Sequence, residues 1–297
     1  LGGAGFIGRN LAQALRERGH GVLVVDPALP SPVAEAVPLA LAEREHLQGL
    51  LQSYRVDTVV HLASLLLPGS DAAAFDREVA EVLAPSFALM DHCARASIRV
   101  VLFSSGGTVY GDPGPGAAHE DQPLAPKSRY GLGKVMLEEY ARLCERLHGL
   151  RCLVLRPSNP YGRHQRLNGA QGLVAVALGK ALAGEPLEVW GDGEAVRDYL
   201  DVRDLADAVA QLIESEAEGT TFNIGSGVGH SVNEVLELVQ SATGRPLTVV
   251  RRPARSVDVR RIVLDSSALA ASIRWRPRPL EEGLRDFHRE LQSVHGG

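Results

Sequence analysis

The chain is poor in lysine, in cysteine and in aromatic residues. Only Lys127, Lys134 and Lys180 are lysines among 31 basic residues, so each lysine position stands out against an arginine background. Three cysteines (Cys93, Cys144, Cys152) are odd in number and too sparse for a disulfide framework, which fits a reducing compartment. Positive charge is not in excess. A net charge of −5 argues against the basic face that nucleic acid or an anionic membrane would require. No apolar run approaches about 18 residues, and no basic-then-apolar stretch reads as a signal peptide. The expectation is a soluble cytoplasmic protein with neither nucleic acid nor membrane as partner. What is present is ordinary for a globular enzyme: 297 residues, 45% hydrophobic and 23% charged, enough for one large or two modest domains.

The first half alternates short apolar runs with helical periodicity. Val22–Asp26, Thr58–Leu62, Val100–Ser104 and Cys152–Arg156 read as strands, nearly apolar throughout, as in a parallel sheet covered on both faces. Phe6–Arg18, Ala72–Ala96 and Arg129–His148 read as helices between them. The pattern predicts an α/β fold with a doubly wound parallel sheet of Rossmann type. After Arg156 the pattern loosens into shorter helices at Gly172–Ala183, Asp204–Ser215 and Val232–Ala242. Residues 1–165 are expected to form a cofactor-binding domain, with 196–224 returning to it. Residues 166–297 should be mainly a smaller, interleaved α/β substrate domain. Gly2 comes where a first strand should already have ended, so an apolar segment is expected ahead of Leu1.

Gly2, Gly5 and Gly8 recur at three-residue spacing just before the first helix. Such a turn lets a pyrophosphate reach backbone amides at a helix N-terminus. Asp26 ends the next strand about 20 residues on, where a carboxylate accepts from ribose hydroxyls and repels a 2′-phosphate, favouring NAD over NADP. Tyr130 and Lys134 lie four apart at the start of a helix, on one face. A phenol with a pKa near 10 must come down by about three units, or ~4 kcal/mol, to act as a base at neutral pH. A neighbouring lysine and an oxidised nicotinamide both favour that shift. Cys144, His148 and Cys152 invite a metal reading, but an inert cysteine on a packed helix is the usual case, and no metal is expected.

With these residues in place, the chain resembles the extended short-chain dehydrogenase/reductase family, in particular its NAD-dependent nucleotide-sugar epimerases of the UDP-glucose 4-epimerase type. The resemblance runs through Asp57-Thr-Val-Val-His-Leu-Ala63, Ser104-Ser-Gly-Gly-Thr-Val-Tyr-Gly111, Tyr130/Lys134 and Arg156-Pro-Ser-Asn-Pro-Tyr-Gly162. It continues through Trp190-Gly-Asp-Gly193, Arg197-Asp-Tyr199 and Phe222-Asn-Ile-Gly225. It implies a hydride shuttle at the sugar C4, with Tyr130 as acid and base, Lys134 beside it, and Ser105 and Thr108 nearby. It implies cofactor contacts at Gly2, Gly5, Phe6, Ile7, Gly8, Asp26, Leu62, Ala63, Ser104, Tyr130, Lys134 and Pro157. The nucleotide-diphosphate sugar, expected to be a UDP-hexose, would meet Thr108, Asn159, Gln171, Leu173, Arg197, Arg255 and Asp258. The helices Ala72–Ala96 and Arg129–His148 match those that pair in the family's homodimers.

Several positions depart from the family pattern. The catalytic Ser or Thr four residues before Tyr110 is Gly106 here, and loss of one such donor costs roughly 3–4 kcal/mol of transition-state stabilisation. Thr108, or a water, could stand in. Ala40 replaces an Asp near the adenine, Val82 an Asn near the nicotinamide, and Ile262 a bulky residue that sizes the sugar pocket. Gly107 and Thr108 stand where the dehydratases carry an acid–base pair, which leaves 4-epimerisation or 4-keto reduction. The Gly111–Pro126 stretch reads either as a lid or as a plain surface loop. Three functions follow, in order: a UDP-hexose 4-epimerase, a 4-ketoreductase of an NDP-4-keto-6-deoxysugar, and a catalytically weak nucleotide-sugar-binding protein.

Overall fold

Strands apolar on both faces need helices on both sides, and the computed structural model has that arrangement. It describes residues 1–30, 35–67, 69–169, 171–215, 221–254 and 259–295. In the first half the order is α1 (Phe6–Glu17), β1 (Val24–Val25), β2 (Ala36–Val37), α2 (Arg44–Ser53), β3 (Thr58–His61), α3 (Ala72–Glu78), α4 (Ala84–Arg95), β4 (Arg99–Phe103), α5 (Arg129–His148), β5 (Cys152–Pro157) and β6 (Asn159–Tyr161). The second half runs α6 (Leu173–Ala183), β7 (Leu187–Trp190), β8 (Val196–Asp201), α7 (Val202–Glu214), β9 (Thr221–Ile224), β10 (Gly229–Ser231), α8 (Val232–Thr243), β11 (Val249–Arg252), β12 (Arg261–Ile262), α9 (Ser267–Ser272) and α10 (Leu280–His295).

β3, β4, β5 and β9 form a parallel sheet in that order, in register Val59 to Val100, Val101 to Leu153 and Leu155 to Phe222. Alternation assigns its residues to two cores. Val100, Leu102, Cys152 and Val154 pack with Met90, Leu137 and Ala141 under α4 and α5. Val101, Phe103, Leu153 and Leu155 pack with Leu11, Leu205 and Val209 under α1 and α7. β1 and β2 form a separate parallel pair. Leu1 lies between β1 and β3: its nitrogen donates to Val60 O (2.8 Å), Leu62 N donates to Leu1 O (3.0 Å), and Gly2 N donates to Val25 O (2.9 Å). A cleft of about 570 Å³ continues that line between Val24 and Val59.

The helix expected at Ala72–Ala96 is broken. A π-turn at Val79–Leu83 separates α3 from α4. Pro85 lies in the first turn of α4, where it cannot donate to the ladder and its ring crowds the carbonyl four residues back; widening the preceding turn accommodates both.

Only Ser158 separates β5 from β6, so the chain leaves the parallel sheet and at once joins a second one. There β8 is central, antiparallel to β10 and parallel to β12 and β6. This crossing brings Asn159, Arg197 and Asp198 to the C-terminal edge of the parallel sheet. α6, α8 and α10 close a third core around Tyr161, Leu178, Val235 and Leu284.

Candidate active site

The glycine turn is tight because its backbone segments touch. Gly2 has φ +75°, and a Cβ there would lie 3.0 Å from Ala63 N and 3.1 Å from the Leu62 carbonyl carbon. A Cβ on Gly8 would lie 2.6 Å from the Gly3 Cα. Gly5 caps α1 with no side-chain hydrogen bond, so the first-turn amides at Phe6 and Ile7 present the arrangement that receives phosphate. Asp26 is nearly buried. Its Oδ2 accepts from Ala4 N (3.0 Å) and its Oδ1 from Ala28 N (2.8 Å), which orients the carboxylate beside the turn with lone pairs to spare. A dinucleotide fits these residues: close backbone, open amides and a fixed ribose acceptor. Ala40 gives its amide to Glu43 Oε1 (3.0 Å), and Val82 is buried in the core under α4.

The catalytic pair sits where α5 meets the turn after β4. Ser128 caps α5, its Oγ accepting from Gly131 N (3.1 Å). The small residues around Tyr130 permit close packing: a Cβ on Gly131 would lie 2.8 Å from Thr108 O, and one on Gly133 would touch Leu83. Lys134 is 4% exposed, donates to Phe103 O (3.0 Å), and has its Nζ 5.7 Å from the centre of the Tyr130 ring. Lys127 and Lys180 instead form exposed ion pairs with Asp112 and Glu185, a kind of contact that contributes little. Burial pushes Lys134 down to about 8, opposed by Glu78 and Glu138. Burial also raises the Tyr130 phenol above its ordinary value, against a hydrogen bond from the Ser105 side chain, with Glu78 adding to the rise. The lowered phenol expected from the sequence is therefore absent from the protein's own groups, because desolvation outweighs the Ser105 hydrogen bond.

Gly106 has a different meaning in the structure. A Cβ there would come within 2.5 Å of Leu264 Cδ1 and 2.8 Å of Arg156 O, and Gly106 N donates to Pro157 O (2.8 Å). A hydroxyl at this position would enter the core. Ser105 is the residue whose hydroxyl meets Tyr130.

Behind the turn runs a buried chain of polar groups that the sequence did not announce as a unit. Glu138, one helical turn after Lys134, accepts from Ser104 Oγ, Arg156 Nε (3.0 Å), Arg156 Nη2 (2.6 Å) and Arg142 Nη2 (3.0 Å). Arg156 Nη1 donates to Tyr110 OH (2.8 Å) and Glu120 O (2.8 Å), and Tyr110 OH donates to Asn223 Oδ1 (2.6 Å). Burial opposes the Arg156 charge, but its bonds to Glu138 more than offset this and hold it above its ordinary value.

In front of the turn, Thr108 Oγ1 is buried with no partner among the described residues. Asn159 Nδ2 donates to Asp198 O (2.9 Å), and its Oδ1 faces Gly107, 3.7 Å from where a Cβ would stand. Pro157 ends β5 beside Gly106. Arg197 is half-buried on β8, its Nη1 bonded to Val196 O (2.9 Å). Gln171 is exposed and Leu173 half-buried at the start of α6. Arg255 and Asp258 lie outside the described residues. Ile262 is buried with Tyr110, Ala118 and Leu264. The Gly111–Pro126 stretch is fastened at two points: Ala118 N donates to Val263 O (2.8 Å) and Ala125 N to Val109 O (3.0 Å). Its middle and its C-terminal end are thus tied to the body, which favours the plain loop over the lid.

The family model for the NAD-dependent epimerase/dehydratase family matches residues 1–225. The chain belongs to that family. It is 34% identical over 298 residues to a UDP-glucose 4-epimerase of Mycolicibacterium smegmatis, covering 95% of this chain and 94% of that one. It is 30% identical over 297 residues to the dTDP-4-dehydro-6-deoxyglucose reductase of Escherichia coli, covering 95% and 93%. Among solved structures it is similar to the UDP-glucose 4-epimerase of Thermotoga maritima with UDP-glucose, at TM-score 0.92 and 31% identity, covering 99% of this chain and 98% of that one.

Proposed function

We propose that the chain is an NAD-dependent nucleotide-sugar 4-epimerase acting on a UDP-hexose such as UDP-glucose or UDP-galactose. The observation that carries this reading is the Ser105–Tyr130 hydroxyl pair beside the buried Lys134, at the same sheet edge as the glycine turn. The amides of Phe6 and Ile7, above the close-packed Gly2, Gly5 and Gly8, would hold the pyrophosphate and Asp26 a ribose, with Leu62, Ala63, Ser104 and Pro157 walling the cofactor. When bound, oxidised NAD supplies the hydride acceptor and a positive charge favouring the Tyr130 phenolate. Tyr130 takes the proton of the sugar C4 hydroxyl and returns it once the keto sugar has presented its other face. Ser105 holds the phenol oxygen, and Thr108 Oγ1, the unpartnered buried hydroxyl, donates to the sugar. Asn159 and Arg197 take the diphosphate, Arg suiting phosphate through its planar fork. Gln171 and Leu173 flank the base.

The purified protein should interconvert UDP-glucose and UDP-galactose without added reductant. Tyr130→Phe should lower turnover by at least about 10³-fold while leaving bound NAD and folding unchanged. Undiminished turnover in that variant would sink the mechanism. The reductase relative favours a second reading, 4-keto reduction; stoichiometric loss of NAD(P)H with an NDP-4-keto-6-deoxysugar would select it. A homodimer is part of the reading. Leu132, Met136, Leu143 and Leu147 form an exposed apolar stripe along α5 next to Val79, suited to a second copy. Sedimentation equilibrium decides it.

A further inference from the structure

Leu264 stands where several segments cross, and the reaction above gives it no part. It lies just past β12 and is 1% exposed. Its main chain is held from two sides. Leu264 N donates to Asp198 Oδ2 (3.3 Å) on β8, and Leu264 is bridged in parallel to Ala118, with Asp265 N donating to Ala118 O (2.9 Å). Asp198 is itself fixed in the core. Its Oδ1 accepts from Ser226 N (2.8 Å) and Ser226 Oγ (2.7 Å), and its Oδ2 from Gly227 N (3.1 Å). Gly225 leaves room for this packing, since a Cβ there would lie 3.0 Å from Leu264 Cβ. From the anchored backbone the side chain reaches the turn after β4. A Cβ on Gly106 would lie 2.5 Å from Leu264 Cδ1 and 3.0 Å from Cδ2, so the two methyl groups fill the space that a side chain at 106 would take.

We propose that Leu264 is a positioning residue for Ser105: a fixed post whose methyl groups press on Gly106 and hold the neighbouring hydroxyl against Tyr130. The proposal rests on the reading of Tyr130 as acid and base. The hydrogen bonds of the turn restrain Ser105 through the backbone. Ser105 O accepts from Thr108 N (3.2 Å) and Val109 N (3.1 Å), and Gly106 N donates to Pro157 O (2.8 Å). Next to the hydroxyl, however, stands a glycine, the residue with the widest backbone freedom, and packing against it narrows that freedom. The bond from Ser105 favours the phenolate form of Tyr130, against the burial that opposes it. Hydrogen bonds weaken steeply with misalignment. A turn released from Leu264 would therefore leave the phenol holding its proton more tightly.

The test titrates the near-ultraviolet phenolate absorbance of the NAD-bound protein without sugar, with the matching Tyr130→Phe curve subtracted. Leu264→Ala removes the methyl groups, and Leu264→Met keeps the volume. The Tyr130 midpoint should rise by about half to one pH unit in Leu264→Ala, the worth of one hydrogen bond, and stay near wild type in Leu264→Met. The kcat for UDP-hexose interconversion should fall roughly five- to tenfold in Leu264→Ala, with KM nearly unchanged. Lys134 and Glu78, the charged groups that face Tyr130, are left in place by both substitutions. A cavity that only lowered stability would leave the midpoint where it was, and that result overturns the proposal. So does an equal rise when Leu264→Ala is added to Ser105→Ala, because Leu264 would then act by another route. The expected midpoints without turnover on UDP-hexoses leave the proposal standing and sink the epimerase reading instead. If Leu264→Ala does not fold, Leu264→Val should move the midpoint the same way by less; no movement there overturns it equally.

Discussion

Two sides of the same turn, Ser104–Tyr110, are built on opposite terms. Behind it Glu138 and Arg156 are 0% and 1% exposed and bonded to each other; Glu138 also accepts from Ser104, and Arg156 donates to Tyr110 and the Glu120 carbonyl. In front of it Thr108 Oγ1 has no partner among the described residues, and the Asn159 amide lies beside Gly107. The difference shows how a reaction site can be both rigid and receptive. Donors that must face a reacting atom are useful only if they do not reorganise during the reaction. The buried pair supplies that rigidity from the side where no ligand enters, so the front can keep unspent hydrogen-bonding capacity.

The sharpest way to break this comparison is Glu138→Gln. The amide leaves the Arg156 charge uncompensated in the core, and removing one partner of a buried pair costs about 3–5 kcal/mol. The urea midpoint should fall accordingly, and turnover with it, since Ser104 and the turn lose their anchor. A loss under about 1 kcal/mol would mean that water reaches the pair and that the back of the turn is not the rigid side.

A smaller effect is expected from Gly106→Ser, and its sign matters more than its size. Read from the sequence, the substitution restores a missing catalytic hydroxyl and should raise activity. In the structure its Cβ meets Leu264 and the Arg156 carbonyl, so overpacking should cost about 1–3 kcal/mol and lower activity. A gain in kcat would show that Ser105 is not the hydroxyl that serves Tyr130.

That reversal marks where the sequence was legible and where it was not. The glycine turn, Asp26 and the Tyr130/Lys134 spacing are local patterns, so a short stretch of chain specifies them, and the apolar strands announced a sheet covered on both faces. Residue type at position 106 was also plain. The direction of its missing Cβ was not, because it depends on Leu264, far along the chain. The Glu138–Arg156–Tyr110–Asn223 chain joins residues from three elements and the turn, and only the Lys134/Glu138 interval of four lay within reach of a helical reading. Glu78 looked like one acidic residue on an amphipathic helix. In the structure it is buried against the loop at Ser64 and Leu65, which donates to both carboxylate oxygens. The π-turn had a local cue in Pro85, but the unbroken apolar pattern around it outweighed that cue.

Thr108→Val gives the smallest change and the finest discrimination. Valine matches threonine in shape, so the substitution replaces an unpartnered buried oxygen with a methyl group. Removing such an orphan is neutral or stabilising by up to about 1 kcal/mol. If the same hydroxyl donates to the sugar, its loss removes one neutral hydrogen bond of about 1 kcal/mol, and kcat/KM for a UDP-hexose should drop by roughly five- to tenfold. Stability and activity then move in opposite directions, as a group held ready for a ligand requires. A variant that lost both together would place Thr108 in the frame with Glu138 and Arg156, and the turn would have no receptive side at that residue.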